Sequence, residues 1–253
     1  MKISIITVAF NAAHTLPDTL RSVSAQTHPD IEHIVVDGAS TDGTLDVVAN
    51  HGDHIARLVS EPDRGIYDAM NKGIGLATGE VIGFLNADDF YADETALTRV
   101  AEVFSDPTVD ACFADLLYVD QHDPGRIVRY WKSCAYRPGM FEFGWVPPHP
   151  TFFARRSVYE RLGGFNLDFP LAADMELMLR FLAVHKIRSI YLPETLIKMR
   201  MGGATNQSLA NVIQQNREIM AALKMHGFKA SWLRFLGHKF WSRGKQYFVH
   251  PRT

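Results

Sequence analysis

Apolar, β-branched runs alternate with amphipathic stretches through the first hundred residues. Four runs have the length and composition of buried strands: 2–9, 32–36, 55–59 and 81–85. Apolar residues recur at helical spacing in four stretches between and after them: 15–23, 45–49, 67–77 and 95–104. In the second of these helices the predicted buried stripe is Leu45, Val48 and Ala49. The alternation predicts an α/β fold in which a mostly parallel sheet carries helices on both faces.

The pattern changes after residue 110. Runs at 111–120 and 126–132 predict the two strands of a hairpin, and a short strand is expected at 152–154. Helical spacing returns in three later stretches: 157–162, 174–185 and 209–226. No low-complexity linker interrupts the chain, so we expect a mixed second half of the same domain and a helical tail from residue 206.

Composition narrows the range of functions. The 253 residues are 47% hydrophobic, enough for one large α/β domain or two small ones. A formal net charge of -2 argues against a nucleic-acid partner, because binding phosphate backbones needs a basic surface. Cys112 and Cys134 lack the spacing of a disulfide framework or a zinc site. Without a secretory leader or an apolar run long enough to span a bilayer, we expect a cytoplasmic protein.

Polar residues follow each of the first four predicted strands. The carboxyl ends of parallel strands meet at one edge of a sheet, and open α/β sheets bind ligands there. Asp88 and Asp89 come directly after the run 81–85, and adjacent carboxylates repel one another unless a cation neutralises them. Oxygen ligands favour Mg²⁺ or Mn²⁺, and such an ion recruits phosphate oxygens. The alternative is a solvated loop in which Asp89 caps a turn.

Five ordered segments resemble one known family. They are 4–11 (SIITVAFN), 35–44 (VVDGASTDGT), 63–73 (DRGIYDAMNKG), 86–89 (NADD) and 173–177 (ADMEL). In this order and spacing, the chain resembles the inverting family 2 glycosyltransferases with the GT-A fold. The resemblance implies a GT-A domain at 1–205, with a nucleotide-sugar-binding half at 1–110 and an acceptor half at 111–205.

The same resemblance implies a nucleoside-diphosphate sugar as donor. Asp37 matches the carboxylate that accepts a hydrogen bond from the base, although an Asp before Gly also commonly caps a turn. Further residues are implied in contact with the nucleoside, the ribose or the phosphates: Thr7, Ala9, Asn11, Arg64 and Asp68. For the last two, an i,i+4 ion pair on a helix surface is the alternative.

Four acidic residues acquire implied roles in catalysis. Asp89 corresponds to a direct metal ligand, with Asp88 directed towards the ribose or a metal-bound water, and the ion would stabilise the departing nucleotide. Asp174 corresponds to the general base that deprotonates the acceptor hydroxyl and gives inversion in one displacement. The family has an acidic residue before this Asp, whereas this chain has Ala173, so Glu176 is an alternative base. An i,i+4 ion pair is the structural alternative for Glu176.

Two loops add candidate contacts. His149 lies in a rigid Pro-Pro-His-Pro segment that could present it to the donor phosphate or to the acceptor, and a structural hydrogen bond is the alternative. The segment 200–206 contains two glycines and resembles the family's loop that closes over the donor.

The tail from residue 206 to residue 253 is basic and aromatic. No acidic residue follows Glu218, and Lys and Arg interleave with Trp, Phe and Leu between residues 229 and 245. This composition is typical of a helix on an anionic membrane surface, with packing onto the domain or a homodimer contact as alternatives.

These features together predict a metal-dependent inverting glycosyltransferase at the cytoplasmic face of the plasma membrane. We expect a saccharide or lipid-linked acceptor in bacterial cell-surface polysaccharide or glycolipid biosynthesis. A nucleotidyltransferase or a non-catalytic nucleotide-sugar-binding protein is the alternative. A Gly-x-Gly-x-x-Gly turn and a P-loop are both absent from the sequence, which argues against a dehydrogenase and a P-loop kinase.

Overall fold

The computed structural model describes residues 1–202 and 208–246, without the side chains of Phe240, Ser242, Arg243 and Lys245. The strands of this part of the chain are β1 Ile3–Ala9, β2 Ile31–Asp37, β3 Ile55–Ser60, β4 Val81–Phe84, β5 Phe90–Tyr91, β6 Ala111–Val119, β7 Ile127–Trp131, β8 Phe153–Arg155 and β9 Ser189–Arg200. The α-helices are α1 Leu16–Ser24, α2 Thr44–His51, α3 Ile66–Leu76, α4 Ala96–Val103, α5 Arg156–Leu162, α6 Ala173–Leu179, α7 Leu209–Met225 and α8 Trp232–Lys245. A π-helical turn at Arg180–Val184 continues α6. Among the described helices, none combines the length and the apolar character needed to traverse a bilayer.

One sheet contains all of these strands, in the order β3-β2-β1-β4-β8-β6-β9-β5, with β7 paired to β6. The strands β3, β2, β1 and β4 are parallel, as the alternation of strand and helix predicts. The second half of the sheet is mixed, because β8 runs antiparallel between β4 and β6 while β9 runs parallel to β6. The strands β6 and β7 form the expected antiparallel hairpin. The fold class expected from the sequence is confirmed.

Helices cover both faces of the sheet. Successive side chains of a strand point to opposite faces, so Ile6 of β1 packs with α3, α5, α6 and α7, whereas Ile5 packs with α1 and α4. The tail contributes Ile219 of α7 and Phe235 of α8 to the first of these clusters. The tail therefore shares the core of the domain.

The buried face of α2 differs from the expected stripe. Thr44 and Val48 are buried, whereas Leu45 is 37% exposed and Ala49 is exposed as well. The Thr44 hydroxyl accepts a hydrogen bond from the backbone N–H of Ala12 at 2.8 Å, and this contact fixes the first residue of the helix inward. A polar contact thus determines which face of α2 is buried. Hydrophobic periodicity cannot predict such a contact.

The hydrophobic pattern of the sequence does not predict two of the strands, for different reasons. The strand β5 has only two residues, too few for a periodic signal, and it pairs with β9. The strand β9 contains an irregularity, since Leu192 pairs with Ala114 while Thr195 pairs with the next residue of β6. The two residues between them, Pro193 and Glu194, form a bulge that breaks the alternation expected of a strand.

Candidate active site

The ends of β1 and β2 meet at the carboxyl-end edge of the parallel strands. The register of the two strands places Ala9 beside Asp37. The loops that follow are tied together, because the backbone N–H of Asn11 donates to the Ser40 hydroxyl at 2.8 Å and that of Thr41 donates to Asn11 Oδ1 at 3.0 Å. Asn11 has a positive φ of 49°, which Asn adopts more readily than most residues. The structure therefore brings three expected donor-site residues together: Ala9, Asn11 and Asp37.

The Asp37 carboxylate is fully buried and holds the turn after β2. It accepts hydrogen bonds from the backbone N–H of Ser40 at 3.0 Å, from the Ser40 hydroxyl, and from the Ser60 hydroxyl at 2.7 Å. This is the turn-capping role considered for Asp37. Contact with a base requires one of these serines to turn aside, and the base-recognition role stays a prediction.

Thr7 and Phe10 differ from what the sequence analysis led us to expect. Thr7 is fully buried, and its hydroxyl lies 2.9 Å from His33 Nε2, so the side chain has a structural partner inside the domain. Phe10, for which we predicted no role, is 67% exposed at the end of β1. A Cβ atom on Gly38 would lie 3.3 Å from the Phe10 ring and 2.6 Å from the Asp63 carboxylate. A side chain at position 38 would crowd the Phe10 ring and push the Asp63 carboxylate aside.

Arg64 and Asp68 form the ion pair considered as their alternative role. The Arg64 guanidinium, 77% exposed, lies 3.1 Å from the Asp68 carboxylate. The backbone N–H of Arg64 also donates to that carboxylate at 3.0 Å, and these hydrogen bonds lower the pKa of Asp68. Asp68 thereby ties the residue before the N-cap of α3 to the first turn of that helix.

The two carboxylates after β4 differ in exposure. Asp89 is fully buried, and burial together with the charge of Asp88 raises its pKa well above the usual value. One Asp89 oxygen accepts a hydrogen bond from Asn86 Nδ2 at 3.3 Å, but Asp89 Oδ1 and Asn86 Oδ1 are buried acceptors without a partner in the described residues. Asp88 is partly buried, and burial raises its pKa while Arg200 opposes the shift. Asp88 is therefore the more accessible carboxylate.

The acidic loop could hold a hard cation only with help from a ligand. In the part of the chain that the structure describes, no three His, Cys, Asp or Glu side chains form a metal-binding group. Carboxylate oxygens and an unpaired amide oxygen are nevertheless suitable donors for Mg²⁺ or Mn²⁺, which are often held by one or two carboxylates plus phosphate oxygens. The donor set of Asn86, Asp88 and Asp89 fits such an ion.

Arg200, the last residue of β9, holds this loop in place. Its guanidinium donates to the backbone carbonyl of Asp88 at 2.9 Å, pairs with the Asp18 carboxylate, and lies 5.0 Å from the centre of the Phe90 ring. The sequence shows only an Arg before two glycines, which carries no signal for these contacts. Residues 203–206 of the expected donor loop lie outside the described residues.

Asp174 lies partly buried at the beginning of α6. Its Oδ1 accepts a hydrogen bond from the Tyr67 hydroxyl at 2.9 Å. Burial, reinforced by the Asp174 charge, raises the pKa of Tyr67 well above the usual value, so Tyr67 remains a donor. This hydrogen bond joins the first turn of α3 to the first turn of α6.

His149 connects the surroundings of Asp174 with the end of β4. Its ring centre lies 5.4 Å from those of Phe84 and Phe165. Burial lowers the pKa of His149, although the Asp174 charge acts in the opposite direction. Phe84 ends β4 four residues before Asp88, so His149 contacts the strand that leads into the acidic loop and also senses the charge of Asp174.

Glu176 has a different environment from Asp174. It is 1% exposed, and its carboxylate lies 3.0 Å from Arg180 Nε and 2.7 Å from His226 Nε2. Arg180 also donates to the backbone carbonyl of Gly164 at 2.6 Å. This arrangement favours the ion-pair role for Glu176 and leaves Asp174 as the accessible carboxylate of the two.

Comparison with known proteins agrees with this architecture. The family model for glycosyl transferase family 2 matches residues 4–163. A PGL/p-HBAD biosynthesis glycosyltransferase of Mycobacterium bovis is 32% identical over 191 residues, which cover 70% of this chain and 68% of that protein. An uncharacterised glycosyltransferase of Nostoc sp. is 37% identical over 126 residues, which cover 49% of this chain and 39% of that protein.

Solved structures share the fold. Staphylococcus aureus TarS 1–349 in complex with UDP-GlcNAc aligns with a TM-score of 0.69 at 18% identity, over 95% of this chain and 73% of that chain. The mannosyltransferase PcManGT from Pyrobaculum calidifontis in complex with GDP-Man and Mn²⁺ aligns with a TM-score of 0.66 at 23% identity, over 95% and 69%. The mostly parallel sheet with helices on both faces is the GT-A fold, and the chain is a glycosyltransferase that belongs to family 2.

Proposed function

We propose that this glycosyltransferase uses Mg²⁺ or Mn²⁺ and transfers a sugar with inversion from a nucleoside-diphosphate sugar to a saccharide or lipid-linked acceptor. The observation that carries the proposal is an acidic loop at the end of β4 with oxygens that have no partner in the described part of the chain, together with the partly buried Asp174 that Tyr67 holds and whose charge acts on His149 beside the same strand. Structures of the same fold that contain GDP-Man with Mn²⁺ or UDP-GlcNAc support the donor and the metal. The relative named for PGL/p-HBAD biosynthesis supports a role in bacterial cell-surface polysaccharide or glycolipid biosynthesis.

The nucleoside site is proposed at the ends of β1 and β2. Phe10 offers an exposed ring on which a base can stack, and Gly38 adds no side chain beside that ring. Because Asp37 is fully buried, its carboxylate would accept a base N–H only after the Ser40 side chain turns aside.

The other residues expected at the donor-sugar site differ in whether they would contact the donor directly. Ala9 and Asn11 form the loop after β1 and contact the nucleoside, while Thr7 supports β1 from inside the domain. The exposed guanidinium of Arg64 exchanges Asp68 for a donor phosphate, because a phosphate presents the same bidentate oxygens as a carboxylate.

The acidic loop is the proposed metal site. Asp88 would hold the ion because it is accessible, and the buried Asp89 would add negative charge behind it only once the ion compensates its burial, which reverses the roles expected from the sequence. When bound, the ion supplies Lewis-acid stabilisation of the departing nucleoside diphosphate. Arg200 fixes the loop through the Asp88 carbonyl.

Asp174 is the proposed general base. The Tyr67 hydroxyl donates a hydrogen bond to Asp174 Oδ1, and Asp174 Oδ2 takes the proton of the acceptor hydroxyl. The acceptor oxygen forms a bond to the anomeric carbon as the bond to the diphosphate breaks, and the electron pair leaves with the diphosphate. A single displacement needs no nucleophilic carboxylate, which agrees with the ion pair between Glu176 and Arg180. Buried and uncharged, His149 leaves the negative charge of Asp174 intact.

A donor screen tests this function. Thermal melting of the full chain is followed with a panel of nucleoside-diphosphate sugars, with and without Mn²⁺, because a ligand that binds the folded state raises its melting temperature. The anomeric configuration of the product formed with the selected donor is then read by NMR. We expect stabilisation that needs donor and Mn²⁺ together, and an inverted product. A retained configuration, or transfer at full rate in the presence of a chelator, would contradict the proposal.

A further inference from the structure

The helix α8 has one face on the domain and one face directed outward. Phe235 is fully buried, and Lys239, one turn further on, donates to Asn216 of α7 at 2.5 Å. On the opposite face Leu233 is 86% exposed and Trp241 is 65% exposed. Residues eight apart are about 80° apart around the axis of an α-helix, and both Leu233 and Trp241 lie more than about 100° from Phe235, so they form one apolar strip along the outward half of α8.

The charge of the chain is distributed unevenly around this strip. Arg234 is exposed beside Leu233. Residues 219–253 contain seven Lys or Arg and no Asp or Glu, so the net charge of -2 leaves a charge of -9 on residues 1–218. An anionic surface therefore attracts the C-terminal end of the protein and repels the rest of it.

We propose that α8 docks the protein on an anionic lipid membrane, with Leu233 and Trp241 entering the headgroup region and Arg234 meeting the lipid phosphates. A helix with an apolar strip and adjacent basic residues lies in the plane of such an interface. A second copy of the chain is a poorer partner for this face, because it would bring two basic segments together.

Docking through α8 would hold the acceptor side of the active site near the membrane. The His238 ring of α8 lies 6.2 Å from the ring of Phe143, in the turn Phe141–Phe143. The chain continues from this turn to His149, beside Asp174. A lipid-linked acceptor would then reach the general base without leaving the membrane surface. This last step depends on the proposed function, whereas the docking itself does not.

Cosedimentation with lipid vesicles tests the docking. The full chain is mixed with phosphatidylcholine vesicles that contain or lack phosphatidylglycerol. We expect binding about tenfold stronger to the anionic vesicles, and a decrease of about tenfold when NaCl is raised from about 0.05 M to about 0.5 M. The double variant Leu233→Ala/Trp241→Ala and the variant Arg234→Glu should each bind about tenfold more weakly or worse.

Matched variants on the far strand of the sheet provide the control. Leu58→Ala and Arg57→Glu change the same residue types at exposed positions of β3, and both should bind like the wild type. Melting temperatures check that every variant is folded. Absent binding of the wild type to anionic vesicles, or an equal loss in the β3 variants, would overturn the proposal.

Light scattering and transfer assays distinguish membrane docking from dimer formation and from a failure of the proposed function. If light scattering shows a dimer that Leu233→Ala/Trp241→Ala dissociates, and vesicles are not bound, the face belongs to a second copy and the docking proposal fails. Transfer to a water-soluble acceptor should be unchanged in the α8 variants. Absence of transfer in the wild type would count against the proposed function and leave the vesicle result to decide the docking.

Discussion

The acidic pairs Asp88–Asp89 and Asp174–Glu176 each contain one buried carboxylate. The two buried carboxylates differ in the groups that surround them. Asp89 has an oxygen without a partner and a pKa raised by burial. Glu176 is paired with two basic side chains, Arg180 and His226. A buried carboxylate is tolerated when it is paired, protonated or bound to a cation. The buried carboxylate of the first pair, Asp89, therefore needs a proton or a cation. The buried carboxylate of the second pair, Glu176, is already compensated by its two basic partners.

The accessible member of each pair is also held differently. Asp88 is fixed through its backbone carbonyl by Arg200, and Asp174 is fixed through its side chain by Tyr67. A contact to the backbone leaves both carboxylate oxygens of Asp88 available to a ligand. A contact to one side-chain oxygen orients the other oxygen of Asp174, which suits a proton acceptor.

The largest expected effect separates Asp174 from Glu176. Asp174→Asn should lower kcat by about 10² to 10⁴, the contribution of a general base, with donor affinity nearly unchanged. Glu176→Gln should lower kcat by less than about tenfold when measured well below its melting temperature, because its carboxylate supports the fold. Transfer kinetics at equal concentrations of folded protein measure both. A greater loss in Glu176→Gln would reverse the assignment of the base.

Stability should show the opposite ranking of the same two residues. Glu176→Gln should lower the free energy of unfolding by about 3 kcal/mol, because Arg180 and His226 lose the carboxylate that compensates their burial. His226→Gln should cost only about 1 kcal/mol, since the pair with Arg180 remains. Urea unfolding measures these values, with Asp174→Asn as the matched variant that should change stability little. Equal losses in Glu176→Gln and Asp174→Asn would remove the distinction.

Removal of the metal should affect only the pair at Asp88–Asp89. With the donor sugar present throughout, Mn²⁺ at about 100 times its dissociation constant should raise the free energy of unfolding of the wild type by about 2.7 kcal/mol, and a chelator should abolish the gain. Asp88→Asn should lose most of this stabilisation, while Asp46→Asn, an exposed Asp on α2, should keep it. If Asp88→Asn responds to Mn²⁺ like the wild type, the ion binds elsewhere.

The contact between Tyr67 and Asp174 should be visible in the kinetics of transfer. In Tyr67→Phe the Asp174 carboxylate loses the hydrogen bond that orients it, so its second oxygen is held less well for taking the proton of the acceptor. At neutral pH we expect a decrease in kcat of about tenfold, with little change in the KM for the donor. An unchanged kcat in Tyr67→Phe would mean that the Tyr67 hydroxyl takes no part in orienting Asp174.

The smallest expected effect concerns Asp89 in the metal-free protein. Its pKa is higher in the folded state than in the unfolded chain, so its contribution to stability is greatest at low pH and is lost as the pH rises through the raised value. Asp89→Asn should therefore melt about 2–4 °C above the wild type at pH 8, corresponding to about 1 kcal/mol. The advantage should shrink towards pH 5. Calorimetry in the presence of a chelator gives both numbers, and a destabilised Asn variant at pH 8 would show that the carboxylate is already compensated.

Local pattern alone determined the fold class and most elements of this protein. The strands β1 to β4 and the helices between them lie within a residue or two of their predicted positions, because the side-chain period reports the buried face of each element directly. The ordered motifs likewise identified the family that the comparisons confirm. The expected face of α2 was wrong because its first residue, Thr44, is held by Ala12, which lies 32 residues earlier in the chain.

Only the tertiary structure decided which carboxylates have partners. Arg200 is 112 positions from Asp88, Tyr67 is 107 from Asp174, and His226 is 50 from Glu176. Periodicity and motif spacing describe neighbours along the chain, whereas these contacts depend on how the helices pack across the sheet. The acidic residues were visible in the sequence, but their burial, and with it their division into accessible and structural groups, came from the packing of distant segments.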